Sequence, residues 1–329
     1  MFFMSPRIKR SEGKFSKVDG VPFTLPVRSA PSPVLMAAFP INAAKAKNLM
    51  PADIHPFRLW NDKALLVITV INYLETNIGK YIEYSVAIAC THGEKPAPKM
   101  LPGLFQRFFK TGQYVVDLPV STEVSVKGGK GIWGMPKHIG KLNFRITEEK
   151  VTSQYDLGDE LVNYVEIERP GKFSIPIRAN ASNYCSFRGM LMKSDVFVKG
   201  SANMAFGKKA KAKFVIGNHP RAQYLRELEI EEQPLFTAYL PDAVGTLDDH
   251  LECWFLKQDT DVFEETEGME SVVNLGQGQE WPPAPTADIN YVSTTESTIG
   301  ESSVTAAAGD TGEQAGKKND DDDSDHRAA

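Results

Sequence analysis

Cysteine is scarce in this chain. The three present, Cys90, Cys185 and Cys253, are widely spaced and form no C-x-x-C pair. That argues against zinc ribbons and thioredoxin-type chemistry, and an odd, sparse count suits reduced thiols rather than a disulfide framework. Cys90 lies in an apolar run, where a thiol is ordinarily inert core. Long hydrophobic runs are also missing. No stretch of about 18 apolar residues offers a transmembrane helix. The N-terminal MFFMSPRIKRSEGKF has neither a long apolar core nor an A-x-A-like cleavage site, so it does not read as a signal peptide. The expectation is a cytoplasmic protein with no membrane partner. An excess of positive charge is lacking too. Lys and Arg number 37 against 42 Asp and Glu, a formal net charge of -5, which argues against a nucleic-acid partner.

Several catalytic signatures are absent. The six histidines show no H-E-x-x-H or other metal spacing, so no metal site is expected. No G-x-S-x-G elbow supports a serine nucleophile, and His219 and Asp242 belong to no triad-like arrangement. No G-x-G-x-x-G follows a strand, so a nicotinamide cofactor is not indicated.

The residues that are present describe a β-rich domain. KALLVITVINYL (63–74) is β-branched and nearly continuous in apolar residues, the pattern of a buried strand. GKYIEYSVAIAC is a second, with Tyr81, Glu83, Ser85, Ala87 and Ala89 on one face and Ile82, Tyr84, Val86 and Ile88 on the other. The small residues of the first face leave room for a pocket or a crossing element. NAAKAKNLMP predicts a short helix capped by Asn42 and stopped before Pro51. Phe105, Phe108 and Phe109 have the spacing of a short helix or loop packed on the core. STEVSVKGG alternates as a strand, residues 141–170 alternate as strands with turns at Glu148-Glu149 and Gly158-Asp159, and residues 173–206 continue in short strands. A helix is expected near 219–228. Few helices and many strands exclude a doubly wound parallel sheet. The fold class is α+β, mostly antiparallel β with a few flanking helices. The domain plan is a loose arm over 1–19, a folded domain over 20–260 and an acidic tail over 261–329, whose composition cannot bury enough apolar surface to order itself.

The stretch Gly128–Lys141, GGKGIWGMPKHIGK, carries the chemistry. Glycine at 128, 129, 131 and 134 costs entropy unless the backbone needs positive φ or close approach. Pro136 fixes the backbone before Lys137. Read as extended chain, Trp133, Met135 and Lys137 share one face and His138 turns away. A lysine held beside apolar walls is poorly solvated, which disfavours its charged form. A free amine attacks carbonyl carbon. On the local residues alone, a solvated lysine in a glycine-rich turn is the competing reading.

GIWGMPKH resembles the active-site segment of the acetoacetate decarboxylase family, in which a Pro-Lys pair closes a glycine-containing strand. Tyr81-Ile82-Glu83 is similar to the family's aromatic-x-Glu segment, with a longer connection between the two that implies an insertion. YVVDLPVSTEVSVKGG and GNHPRAQYLRELEIEEQPLFTAYLPD are similar to flanking segments, so the resemblance covers about residues 20–256. It implies a curved or closed sheet, a barrel or cone, around a Schiff-base lysine; activated lysines of this family are a well-known case. Lys137 takes the role of that lysine, Glu83 that of a second catalytic group, and Arg28, Trp133 and Met135 those of substrate-binding residues. Two departures are His138, where the best-known members have a second lysine, and Gly131, where they carry an acidic residue. The expected reaction is decarboxylation of a β-keto acid without metal or organic cofactor, by a homo-oligomer. The rivals are an aldol or dehydration reaction through the same Schiff base, and a non-catalytic barrel that binds a small ligand.

Overall fold

The computed structural model describes residues 13–171 and 174–256, the side chains of 249–251 excepted. Seven strands close a mixed barrel: β1 (Ser32–Asn42), β2 (Lys63–Tyr73), β3 (Tyr81–His92), β4 (Gly112–Val120), β5 (Ser174–Phe187), β6 (Met190–Phe206) and β7 (Phe236–Phe255). Around the ring the order is β3-β2-β1-β7-β6-β5-β4, and β4 pairs back onto β3 to close it. Every pair is antiparallel except β4 with β5, which meet in parallel at Gln113↔Asn183 and Tyr114↔Tyr184. Closure removes the exposed sheet edges that an open β-sheet of this size presents.

The two faces of the wall follow from strand alternation. Leu35, Phe39, Leu66, Ile68, Tyr84 and Val86 point one way and share a core with Leu142, Val151, Tyr155, Val162, Val165 and Ile167. The latter belong to a separate antiparallel sheet, Lys141–Leu142, Lys150–Leu157, Glu160–Glu168 and Ala212–Ile216, to which Arg145–Ile146 is also paired. A whole second sheet does not fit inside a seven-stranded barrel, so this is the outer face. The inner face carries Ala87, Val115, Leu118 and Cys185, clustered with Trp133 and Met135.

Most of the sequence-predicted elements form. Asn42 caps the helix Ala43–Lys47 by accepting from the Ala44 and Lys45 N–H groups, and the 158–159 turn has Gly158 at φ 57°. Pro220–Ala222 and Gln223–Glu227 make the expected helical segment. Four local expectations fail. Residues 174–206 form two long strands rather than several short ones, because each pairs along its length with neighbours remote in sequence. STEVSVKGG is not a strand: Glu123–Trp133 is a helix, its glycines overriding their low helix propensity by opening a face for close packing. Phe105 and Phe108 are exposed, not packed on the core. Lys14–Val18, within the expected loose arm, pairs with Val21–Leu25 as a hairpin. Residues 1–12 and the expected tail from 261 lie outside the described residues.

Candidate active site

Lys137 begins the short strand Lys137–Ile139, which runs parallel to β4 with Lys137 opposite Leu118. β5 pairs with β4 only at the beginning of β4, through Gln113 and Tyr114, so the lysine strand completes the wall further along β4. A parallel return needs a crossover, and the helix Glu123–Trp133 supplies it. Gly134 ends that helix at φ 63°, a left-handed conformation that suits glycine, and the chain turns through Met135 and Pro136 into the strand. The glycine-rich stretch is thus helix, turn and strand rather than one extended segment. Trp133, Met135 and Lys137 are all buried, the first two in one cluster with Ala87, Val115, Leu118 and Cys185.

Gly129 sets the depth of the lysine. A Cβ there would collide with Lys137 Cδ, so the stem lies directly on the helix backbone. Two neighbouring glycines seat the hairpin, with Phe23 packed over Gly128 and Val18 over Gly131.

The amine ends among polar groups. Lys137 is 4% exposed, and its Nζ donates to Glu83 Oε2 at 2.6 Å and to Ser125 Oγ at 2.9 Å. It also lies 5.4 Å from the centre of the Tyr81 ring, and the Tyr81 hydroxyl hydrogen-bonds with Ser125 and Tyr73. Burial, followed by the nearby Glu83 charge, pushes the Tyr81 hydroxyl well above the ordinary tyrosine range, so it stays protonated. The apolar surroundings expected from the sequence hold for the region, but the nitrogen itself is held by a carboxylate and a hydroxyl. The Ser121 side chain accepts from the Ile82 N–H at 2.8 Å, which ties the start of the helix to the strand that carries Glu83.

His138 turns away from the amine, as alternation predicts. Its Nε2 meets Asp117 Oδ1 at 2.8 Å. Arg221 binds the same carboxylate through Nε and a terminal nitrogen, the latter at 3.0 Å, and the Tyr155 hydroxyl donates at 3.3 Å. A bulge makes this possible: Val86 pairs with Asp117 and Ala87 with Val115, leaving Val116 extra. The extra residue re-aims the strand, so that Asp117 faces outward while Leu118 stays inward beside Lys137. Burial alone would raise the Asp117 carboxyl, but His138 and Arg221 outweigh it and hold it down to about 2. Another buried amine, Lys130, lies on the helix; burial and then Arg221 push it down to about 8.

Of the remaining residues singled out from the sequence, Trp133 donates its indole N–H to the Asp248 carbonyl at 3.0 Å and packs with Met135 against Leu25 and Val27. Arg28 follows Val27 on a two-residue strand paired with β7, and its N–H donates to Asn77 Oδ1 at 3.0 Å. Val27 joins the cluster around Trp133, so Arg28 is one residue from that wall. Ser125, Asp117, Arg221, Tyr155 and Lys130 were not found from the sequence. The small-residue face of Tyr81–Ala89 was the signal available; it left Glu83 either exposed or lining a pocket, and the family resemblance singled that residue out. Cys185 is core, its thiol pushed up to about 12 by burial, and burial likewise raises Cys90. Among the described residues, no three His, Cys, Asp or Glu side chains group as metal ligands. A surface groove of about 600 Å3 beside Glu168, Arg169 and Phe206 contains none of the Lys137 cluster.

Comparison with known proteins bears on the fold that carries these residues. The acetoacetate decarboxylase (ADC) family model matches residues 15–168, a span that includes Arg28, Glu83 and Lys137. A solved structure of acetoacetate decarboxylase is similar at 13% identity, with a TM-score of 0.53 over 71% of this chain and 91% of that one. The enduracididine biosynthesis enzyme MppR, solved in complex with pyruvate, is similar at 11% identity, with a TM-score of 0.50 over 69% of this chain and 90% of that one. A search of curated proteins gives no match. The family match and the shared barrel lead to one conclusion: residues 15–168 match the acetoacetate decarboxylase family, and the fold is the one seen in acetoacetate decarboxylase.

Proposed function

We propose that the protein is a Schiff-base decarboxylase of a β-keto acid such as acetoacetate. The observation that carries this reading is a buried amine, Lys137 Nζ, held 2.6 Å from a carboxylate that is itself partly open to solvent. The Lys137 side chain is 5% exposed and that of Glu83 is 16%, so substrate reaches the amine past Glu83.

Glu83 takes a proton from the Lys137 ammonium, and the free amine attacks the ketone carbon. The carbinolamine hydroxyl leaves as water after Glu83 returns the proton. The iminium that forms is an electron sink, so the β-carboxylate departs as carbon dioxide and its bonding pair passes into an enamine. Protonation of the enamine carbon and hydrolysis release a ketone and restore the lysine. Ser125 and Tyr81 keep the amine aimed at the space beside Glu83. Arg28 is assigned the substrate carboxylate, and Trp133 and Met135 the apolar wall. A homo-oligomer belongs to the same reading and rests on the family alone.

The structural likeness to MppR bound to pyruvate supports a keto acid as the ligand class. It also keeps aldol or dehydration chemistry as a second reading, since both begin with the same iminium. A panel of β-keto acids with carbon dioxide detection tests the proposal. Carbon dioxide release by the parent protein and none by Lys137→Arg is the expected outcome, because arginine stays protonated. Adduct formation without carbon dioxide favours the aldol reading. No adduct with any acid by a folded protein favours the binding barrel.

A further inference from the structure

We infer that the segment between β3 and β4 is a docking element for an anionic lipid surface. β3 and β4 are antiparallel neighbours, a pairing that two to five loop residues can connect. The chain instead spends residues 93–111 on a folded excursion. Its shape is held by bonds within it and to Arg58. The Met100 N–H donates to Arg58 O, the Phe105 and Phe109 N–H groups to Leu101 O and Phe105 O, and the Thr111 N–H to Gln106 O. The Arg58 guanidinium donates to Ala97 O at 3.0 Å and the Thr111 hydroxyl to Pro102 O at 2.9 Å. Met100 and Lys110 bracket it in the left-handed region, at φ 61° and 46°.

This ordered excursion and the adjoining 57–62 segment present Trp60, Leu101, Leu104, Phe105 and Phe108 to solvent, Leu104 at 79% and Phe108 at 81% exposure. Large apolar side chains gathered in this way mark an interaction site rather than ordinary surface. The charge around them selects the partner. Lys95, Lys99, Arg107 and Lys110 lie in the segment against Glu94 alone, while the chain as a whole is at -5. Asp62 pairs with Lys99 at 2.5 Å and the Lys110 amine lies over the Trp254 ring at 5.8 Å, which leaves Lys95 and Arg107 flanking the apolar side chains. Tryptophan, phenylalanine and leucine beside basic residues suit the headgroup boundary of a bilayer, where the rings enter the interface and the cations meet anionic phosphates. A twofold pairing of two copies through this knob would set the same cations against each other. The absence of a spanning helix among the described residues says nothing about such a surface contact.

The knob leaves β3 at His92, whereas Glu83 lies near the other end of the strand, roughly 30 Å away at about 3.3 Å per residue. Variants in the knob therefore leave the candidate active site untouched. The test is flotation of the full chain with vesicles of phosphatidylcholine alone, or of phosphatidylcholine with phosphatidylserine. The inference expects binding to the serine-lipid vesicles that weakens as salt rises. It expects roughly tenfold or greater loss of binding for Leu104→Asp/Phe108→Asp, with unchanged melting temperature. Arg107→Glu supplies a milder variant, expected to weaken binding to the anionic vesicles. No binding of the parent to anionic vesicles at low salt overturns the inference, as does equal binding by the double variant. Dissociation of a parent oligomer in the double variant, by light scattering, without parent vesicle binding also overturns it and makes the knob a self-interface.

Discussion

Glu83 and Lys137 come from elements that meet only in three dimensions, and they differ in exposure. Glutamine at position 83 keeps an oxygen that accepts from the ammonium but cannot take its proton. Glu83→Gln is therefore expected to fold, with a melting temperature within a few degrees of the parent, and to lose about 10^2- to 10^4-fold in turnover. Steady-state kinetics on the best keto acid checks this, and unchanged turnover would remove Glu83 from the reaction. Lys137 stood out in the sequence through its Pro-Lys pair and the family resemblance, whereas the local residues alone left a solvated lysine as the competing reading. Ser125 did not stand out: its place beside the amine depends on a helix where alternation suggested a strand. Asp117 and Arg221 were hidden for a related reason. One is turned outward by a bulge, and the other arrives on the short helical turn Pro220–Ala222.

At the scale of elements, the helix Glu123–Trp133 sets the depth of the amine. Gly129→Ala exchanges a poor helix former for the best one, a local gain of about 1 kcal/mol, but its Cβ claims the space of Lys137 Cδ. The group in the way is a flexible lysine stem, so the stem moves and the fold survives. The expected outcome is a melting temperature close to the parent's and a turnover loss of about 100-fold or more, since a misplacement of about 1 Å costs that much. Thermal melts paired with turnover assays check it, and parent-level turnover would show that the contact does not position the amine. Regular elements with strong local signals, such as the strands Lys63–Tyr73 and Tyr81–His92 and the Asn42-capped helix, were readable from pattern. The glycine-rich helix was not, because its reason for being glycine-rich is the surface packed against it.

At the scale of the whole molecule, the Asp117 cluster ties the barrel wall to the lysine strand and to the turn that carries Arg221. The Asp117 carboxyl is held at about 2 in the folded protein, below its ordinary 3.8. A depressed carboxyl contributes stability that is fully present above the unfolded value and is lost as pH falls through the folded one. The contribution is about 2 kcal/mol, and it disappears between about pH 4 and pH 2. Asp117→Asn is expected to be destabilised at pH 7, with the difference from the parent shrinking across that window. Denaturant unfolding at several pH values measures this, and a difference that stays constant down to pH 2 would contradict the assignment. Closure of the ring was beyond pattern reading, since it rests on pairings between residues far apart in sequence such as Asn183 with Gln113. Strand density alone indicated a mostly β domain, and the family resemblance supplied the barrel.

The central claim is that Lys137 forms the covalent intermediate. Incubating the protein with a β-keto acid and borohydride, then mapping the modified peptide by mass spectrometry, tests it most directly, because borohydride converts an iminium to a stable secondary amine. The account predicts one adduct, on Lys137, absent in Lys137→Arg and absent from Lys127 and Lys130, whose amines are also buried. An adduct on Lys130 or another lysine, or carbon dioxide release by Lys137→Arg at the parent rate, would contradict it.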